Sequence, residues 1–191
     1  MIQKELFTTI PDWQNIKTQY DKWYHFMEDE VVFSLADSQK HTKDHCARVL
    51  FHALVIASQI GLSEKDKDAL GAAAAFHDSR RQNDWLDVGH GKRAADAYRD
   101  FCHLNALPFD ERTYFVMAFH DREDGFGKAE IKHRNMENGV LLYEIFKDAD
   151  GLDRFRLGPN ALDVNMLRTE EAKKLIEFAE KLVLNTQEAD S

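Results

Sequence analysis

A run of small apolar residues that ends in an adjacent imidazole and carboxylate constrains this chain most: four alanines at 72–75 precede Phe76, His77 and Asp78. Small side chains let a helix pack deeply among its neighbours. Polar groups at its buried end then need partners, because an unpaired buried charge is very costly. A divalent metal is one such partner, since a histidine nitrogen and an aspartate oxygen suit first-row transition metals. A capped helix end with a satisfied His–Asp pair is the alternative, and the dipeptide by itself leaves both open.

Composition and charge set broad limits. The chain has 191 residues with 43% hydrophobic and 31% charged side chains, which is typical of one soluble globular domain. Its net charge of -9 argues against a general nucleic-acid-binding surface. Cys46 and Cys102 lie in apolar helical patterns, which favours buried free thiols over one disulfide. We see no signal-peptide pattern and no apolar run of membrane-spanning length, so we expect a cytoplasmic protein without membrane contact.

The pattern of apolar residues predicts an all-α fold, because prolines are few and β-branched alternating runs are scarce. Helices are expected after Pro11 and over residues 43–60, 63–76, 92–105, 110–120 and 135–149, with a last one from about residue 169. Charged loops are expected over 79–91 and 121–128. We expect one domain, in which a helical extension (1–40) packs on a metal-binding core (41–157) that a C-terminal helix (158–191) completes.

Four potential ligands occur in a recognisable order along these helices. His45 lies in the second helix, His77-Asp78 ends the third, and Asp150 ends the sixth. Supporting motifs are His45-x-x-Arg48-Val49, Phe76-His77-Asp78 and Asp148-x-Asp150-x-Leu152-Asp153. From about His41 to Arg156 the chain resembles the HD-domain superfamily of metal-dependent phosphohydrolases. The resemblance implies a single-domain multi-helix HD-domain-like bundle with His45, His77, Asp78 and Asp150 as metal ligands.

Two assignments within that set need a choice. In Asp148-Ala149-Asp150 the family's ligand corresponds to Asp150, which leaves Asp148 an outer role. His120-Asp121 is a rival His–Asp pair, and we prefer His77-Asp78 because the alanine-rich helix before it indicates deeper burial.

Two further histidines extend the ligand set. Family members with two metals use two histidines between the His–Asp pair and the last Asp, and His90 and His120 fall in those places. With one metal, these two residues would instead protonate a leaving group or hold phosphate.

The resemblance implies a hydrolase that uses one or two divalent ions (Mn, Fe, Co, Ni, Zn or Mg) to activate water against a small phosphate ester, with a nucleotide as the expected substrate. Asp78, His90 and His120 are then the candidate catalytic residues. Candidates to neutralise phosphate charge are Arg80, Arg81, Lys92 and Arg154, because basic side chains, and arginine forks above all, bind phosphate oxygens. We find no Walker-type glycine-rich phosphate loop.

Several interpretations stay open at this point. A minority of the superfamily are diiron oxygenases, and the six-ligand set is compatible with that chemistry; a non-catalytic nucleotide-sensing module is a third possibility. Asp84 and Asp87 are either turn residues, loop anchors or extra ligands. Arg48 is expected to orient a carboxylate, and His52 to pack or to support a ligand. The remaining histidines are interpreted as surface or cap residues: His25, His41, His103 and His133. The aromatic first helix suggests a homodimer.

Overall fold

The computed structural model describes residues 4–35, 37–38 and 40–189, and this part of the chain is all-α, with no strand. The helices are α1 (Lys4–Phe7), α2 (Trp13–Glu30), α3 (Lys43–Ile60), α4 (Glu64–Phe76), α5 (His90–Leu104), α6 (Glu111–Phe119), α7 (Asp124–His133), α8 (Gly139–Leu152), α9 (Glu170–Lys174) and α10 (Ile176–Ala189). Two short 3₁₀ helices, Asp153–Leu157 and Val164–Met166, connect α8 to α9.

Helix α3 lies at the centre, where it packs against α2, α4 and α8. Every residue from His45 to Ala57 is buried, as expected for a helix that is covered on all sides. The side chain of Thr42 accepts from the His45 main-chain nitrogen and so caps the start of α3. The bounds of α3 match those predicted from the sequence.

Helix α4 brings its polar end into the interior. The Ser63 side chain caps its start, as predicted, and the alanines at 72–75 are all buried between α3 and neighbouring helices. Their small volume allows the close approach to α3 that places His77, fully buried, at the end of α4.

The aromatic stripe of α2 belongs to the core. Trp13, Ile16 and Tyr20 are buried, and Trp23 and Phe26 are partly buried against the same cluster. The stripe therefore packs within the chain. The homodimer expected from it stays a prediction.

Two helix boundaries differ most from the prediction. Residues 121–128 were expected to be a loop, but α7 begins at Asp124. Within α7, the ring of Tyr143 on α8 occupies the space that a side chain at residue 127 would need, which explains the glycine there. Close packing here overrides the low helix propensity of glycine. Helix α8 begins only at Gly139, because Asn135 and Asn138 adopt left-handed backbone angles (φ 54° and 55°).

The other helix ends differ less. Helix α5 begins at His90, two residues earlier than expected, and the C-terminal helix is interrupted at Leu175. Both cysteines are free and buried, as predicted. Among the described residues, no helix combines the length and the hydropathy that crossing a lipid bilayer would require.

Candidate metal centre

Four imidazoles and two carboxylates converge where five helices meet. His45 comes from the first turn of α3, His77 and Asp78 from the end of α4, His90 from the start of α5, His120 from the end of α6, and Asp150 from the last turn of α8. The Nε2 atoms of His45 and His77 are 3.2 Å apart, and those of His90 and His120 are 2.9 Å apart. The six residues proposed as ligands from the sequence are therefore neighbours.

The other ring nitrogen of each histidine is already engaged. Three Nδ1 atoms lie at hydrogen-bond distance from the carbonyl three residues earlier: His77 from Ala74 (2.9 Å), His90 from Asp87 (2.7 Å) and His120 from Met117 (2.7 Å). A carbonyl only accepts, so each of these Nδ1 atoms carries a proton, and in the neutral ring Nε2 then presents a lone pair. Two such lone pairs within about 3 Å repel each other unless a proton or a metal ion lies between them, so the arrangement is compatible with a metal site.

Asp78 joins two ligand groups. Its Oδ2 lies 3.5 Å from His45 Nε2, and its Oδ1 lies 3.1 Å from His90 Nε2. Asp150 Oδ1 is 3.4 Å from His45 Nε2. One group that could hold an ion consists of His45, His77 and Asp150, and another of Asp78, His90 and His120. Asp78 therefore has one oxygen near each group.

The protonation of the site suits this role. Burial raises the pKa of Asp78, but the surrounding imidazoles, that of His77 above all, hold it well below the usual range, so the carboxylate is ionised. Burial lowers the pKa of His77 to about 3 and also lowers that of His120, which leaves both rings neutral. Burial lowers the pKa of His45 as well, but hydrogen bonds with three carboxylates raise it to about 9. The environment of its Nε2 thus favours a positive charge there.

Asp153 supports His45 from behind. Its Oδ2 lies 2.7 Å from His45 Nδ1, and Arg48 donates to the same carboxylate through Nε and Nη2. The predicted outer residue, Asp148, is instead part of another network, where it accepts from the main-chain nitrogens of Arg168 and Thr169. The carboxylate that supports His45 is therefore Asp153, which the sequence motif contained without indicating its role.

His41 is a site residue that the sequence analysis missed. It was interpreted as a surface or cap residue, but its Nδ1 lies 2.7 Å from Asp78 Oδ2. It also forms a third group of potential ligands with His45 and Asp78. The spacing His41-x-x-x-His45 was the available signal, yet α3 starts only at Lys43, so a helical spacing rule does not apply to His41.

Both His–Asp pairs contribute to the same centre. Asp121, which follows His120, accepts from the Gly89 main-chain nitrogen, and its Oδ2 lies 3.5 Å from His90 Nδ1. The pair that we treated as a rival therefore supplies a candidate ligand, His120, and a carboxylate that supports His90.

A cavity of about 1150 Å³ opens onto the centre and is lined by Asp78, His90, His120 and Asp150. Of the predicted phosphate-binding residues, Arg81 and Arg154 line it, but Arg80 and Lys92 do not. Arg80 donates to the carbonyls of Val32 and Ser79. Lys92 pairs with Asp96 one turn further along α5, which holds it on the outside of the helix. Five further cations that the sequence analysis did not single out line the cavity, and the last two of them pair with Asp124: Lys40, Arg122, Arg156, Lys147 and Arg168.

The two loop aspartates anchor the segment at the edge of this cavity. Asp84 accepts from the Ser38 hydroxyl, and Asp87 accepts from Arg93 through both carboxylate oxygens (2.7 Å each). Neither belongs to a group of potential metal ligands among the described residues. Of the roles considered for them, loop anchoring agrees with these contacts.

Comparisons of the chain with protein-family models, with curated proteins and with solved structures each found no match. Membership of the HD-domain superfamily stays a prediction from the motifs.

Proposed function

We propose that this protein is a metal-dependent phosphohydrolase of the HD-domain type, which hydrolyses a small phosphate ester, with a nucleotide as the expected substrate. The observation that supports the proposal most is that four histidine Nε2 atoms lie in two close pairs, with one oxygen of Asp78 near each pair. Two ions about 3.5–4 Å apart are the arrangement that clamps a phosphoryl group in many phosphatases.

The roles of the chain's own groups follow from their positions. His45, His77 and Asp150 would hold one ion, His90 and His120 the other, and Asp78 both. A bound ion of this kind lowers the pKa of water from 15.7 to about 7 and so makes hydroxide available at neutral pH. Asp78 stays ionised because of its low pKa, so its oxygens serve as ligands and as hydrogen-bond acceptors at the cavity wall. His90 and His120 fix the opposite side of the centre through their main-chain bonds.

Positive side chains around the cavity suit an anionic substrate. Lys40, Arg122, Arg154 and Arg156 line it together with Arg81. Arg156 is held by the carbonyls of Lys40 and Asp153, which places its charge close to the ligand groups. The same lining carries eight carboxylates, so these cations would favour a phosphate dianion once bound metal offsets the charge of Asp78 and Asp150.

The test combines elemental analysis of the purified chain with a panel of phosphate esters assayed with each divalent metal. We expect bound metal and release of inorganic phosphate from at least one ester. Asp78→Asn and Asp150→Asn are expected to reduce turnover by at least about 100-fold, because even residues that only support ligands cost about 10–100-fold when mutated. Asp100→Asn, which alters an exposed carboxylate paired with Arg99, is the matched control.

Other outcomes would replace the proposal. Full activity in both ligand variants would contradict it. Two irons per chain with oxygen-dependent product formation would instead identify the diiron oxygenase alternative, and tight nucleotide binding without turnover would identify a sensing module.

A further inference from the structure

Large apolar side chains are exposed around the mouth of the metal-centre cavity. Trp85 is 76% exposed and Leu86 is 89% exposed, and both line the cavity from the loop between α4 and α5. Leu157 and Met166, from the segment between α8 and α9, are exposed residues of the same lining. Apolar groups that face water at the rim of a concave site are typical of ligand contact.

The loop that carries Trp85 is tied to the metal centre. Arg81, which is buried, donates from Nη2 to the Trp85 carbonyl (2.6 Å) and from Nε to the Asn83 carbonyl (3.3 Å). Its Nη1 lies 3.5 Å from Asp78 Oδ1 and 3.2 Å from both ring nitrogens of His90. Equal distances to the two nitrogens of one imidazole place Nη1 off the axis of the Nε2 lone pair. Arg81 therefore joins two candidate ligands to the main chain at Trp85.

The backbone of Trp85 is fixed from its other side as well. Its main-chain nitrogen donates to the Asn83 side-chain oxygen (2.9 Å). The Lys40 ammonium lies 4.4 Å from the centre of the indole ring, a cation–π contact. Trp85 thus combines an anchored backbone with an exposed planar ring, and a positive charge lies against that ring. A pairing of an aromatic surface with cations is how proteins bind the base and the phosphate of one nucleotide together.

We infer that Trp85 is a specificity-determining residue, which stacks on an aromatic group of the substrate while the phosphate lies at the metal centre. This inference rests on the proposed function and narrows the substrate class to nucleotide-like esters rather than alkyl or sugar phosphates. The cavity volume of about 1150 Å³ leaves room for such a molecule, since cavities of about 300–1,000 Å³ enclose drug-sized ligands.

The kinetic test compares nucleoside 5′-monophosphates of adenosine and uridine with ribose 5-phosphate, which has the same phosphate and sugar but no base. On the metal-loaded full chain we expect a higher kcat/KM for the nucleotides. Trp85→Ala should lower this preference by about 5- to 100-fold, the loss of one base–aromatic stack. Trp85→Phe, which keeps a ring, should retain most of the preference, and Leu86→Ala should retain it as well.

A binding measurement separates this inference from the proposed function. Isothermal titration of the same probes into the metal-loaded chain needs no turnover, so tighter binding of the nucleotides that Trp85→Ala abolishes would support the stack even in an inactive protein. Equal affinity of wild type for nucleotide and ribose 5-phosphate would overturn it. Equal losses of nucleotide affinity in Trp85→Ala and Leu86→Ala would also overturn it, as would tighter binding of octyl phosphate than of the nucleotides. Either result would indicate that the rim binds apolar groups in general.

Discussion

The hydrogen bond between His41 and Asp78 acts on the carboxylate that faces both ligand groups. His41 Nδ1 lies 2.7 Å from Oδ2, the oxygen directed towards His45. A group that holds a ligand in place contributes to metal affinity without being a ligand itself. His41 belongs to no helix, so its contact depends on the turn that leads into α3.

The first prediction concerns this contact. His41→Ala should weaken Mn²⁺ binding by about 10- to 100-fold while the number of ions per chain at saturation stays the same. Isothermal titration of metal-depleted protein measures both quantities. His25→Ala, at an exposed position on α2, is the control. Unchanged affinity would contradict a positioning role, and the loss of one ion per chain would make His41 a ligand.

His52 gives a second prediction at this scale. It is fully buried, neither ring nitrogen has a hydrogen-bond partner among the described residues, and burial lowers its pKa to about 4. In the unfolded chain its pKa is about 6.5. As the pH falls from about 6.5 towards 4, the unfolded state therefore takes up a proton that the folded state does not, and stability is lost.

We expect this loss to reach roughly 2 kcal/mol between pH 7.5 and pH 5. His52→Leu should remove it, because leucine fills the site without a titratable group. Urea unfolding of both proteins at the two pH values, with chelator present throughout, measures the difference. Equal pH dependence of the free energy of unfolding in wild type and variant would show that His52 is not responsible.

At the level of helices, the crossing of α5 and α6 sets the position of His120. Gly91 lies at the start of α5, and a side chain there would overlap the Met117 carbonyl and come within 2.7 Å of His120 Nδ1. The same carbonyl lies at hydrogen-bond distance from His120 Nδ1. The absence of a side chain at residue 91 is thus what lets α5 approach the carbonyl that orients a candidate ligand.

Gly91→Ala should consequently displace His120 and weaken the second ligand group more than the first. We expect the metal content at equal free metal to fall from two ions per chain to one, measured by elemental analysis after equilibrium dialysis. Gly125→Ala on α7 is a matched control, because no atom lies within 4 Å of a side chain placed there. Two ions retained by Gly91→Ala would argue against close packing as the determinant of this group.

Helix positions could be predicted where the signals are local. The bounds of α3 and the Ser63 cap of α4 depend on neighbouring residues, and both are as predicted. The predicted start of α8 was wrong because the left-handed backbone conformation at Asn138 has no unambiguous sequence signal. Helix α7 was not predicted because glycine has a low helix propensity, and Gly127 is explained only by its contact with Tyr143 on another helix.

The candidate site could be predicted as a set of residues but not as a geometry. The order of histidines and aspartates indicated which side chains would meet. Arg48 was expected to orient a carboxylate, and it donates to Asp153. The other supporting contacts were not found, because His45 and Asp153 are 108 positions apart and His41 and Asp78 are 37 apart. Lys92 was predicted to bind phosphate, but its ammonium group pairs with Asp96 four residues away.

At the scale of the whole molecule, the metal centre joins most of the bundle. Its candidate ligands come from α3, α4, α5, α8 and the residue after α6, so ions bound there would link helices that are distant in sequence. The unfolded chain does not bring these side chains together, so an ion would bind the folded state far more tightly than the unfolded one. Metal binding and folding should therefore be strongly coupled.

We expect saturating metal to stabilise the fold by about 2.7 kcal/mol for each ion at a concentration of 100 Kd, since the unfolded chain has no formed site. For a chain of this size, one such ion raises Tm by about 5–10 °C. Thermal unfolding of chelator-treated and Mn²⁺-loaded protein measures the shift, and Asp150→Asn should reduce it whereas Asp100→Asn should not. Equal Tm with and without metal in wild type would mean that the six side chains form a closed polar network rather than a metal centre, because a network complete in itself gains nothing from an added cation.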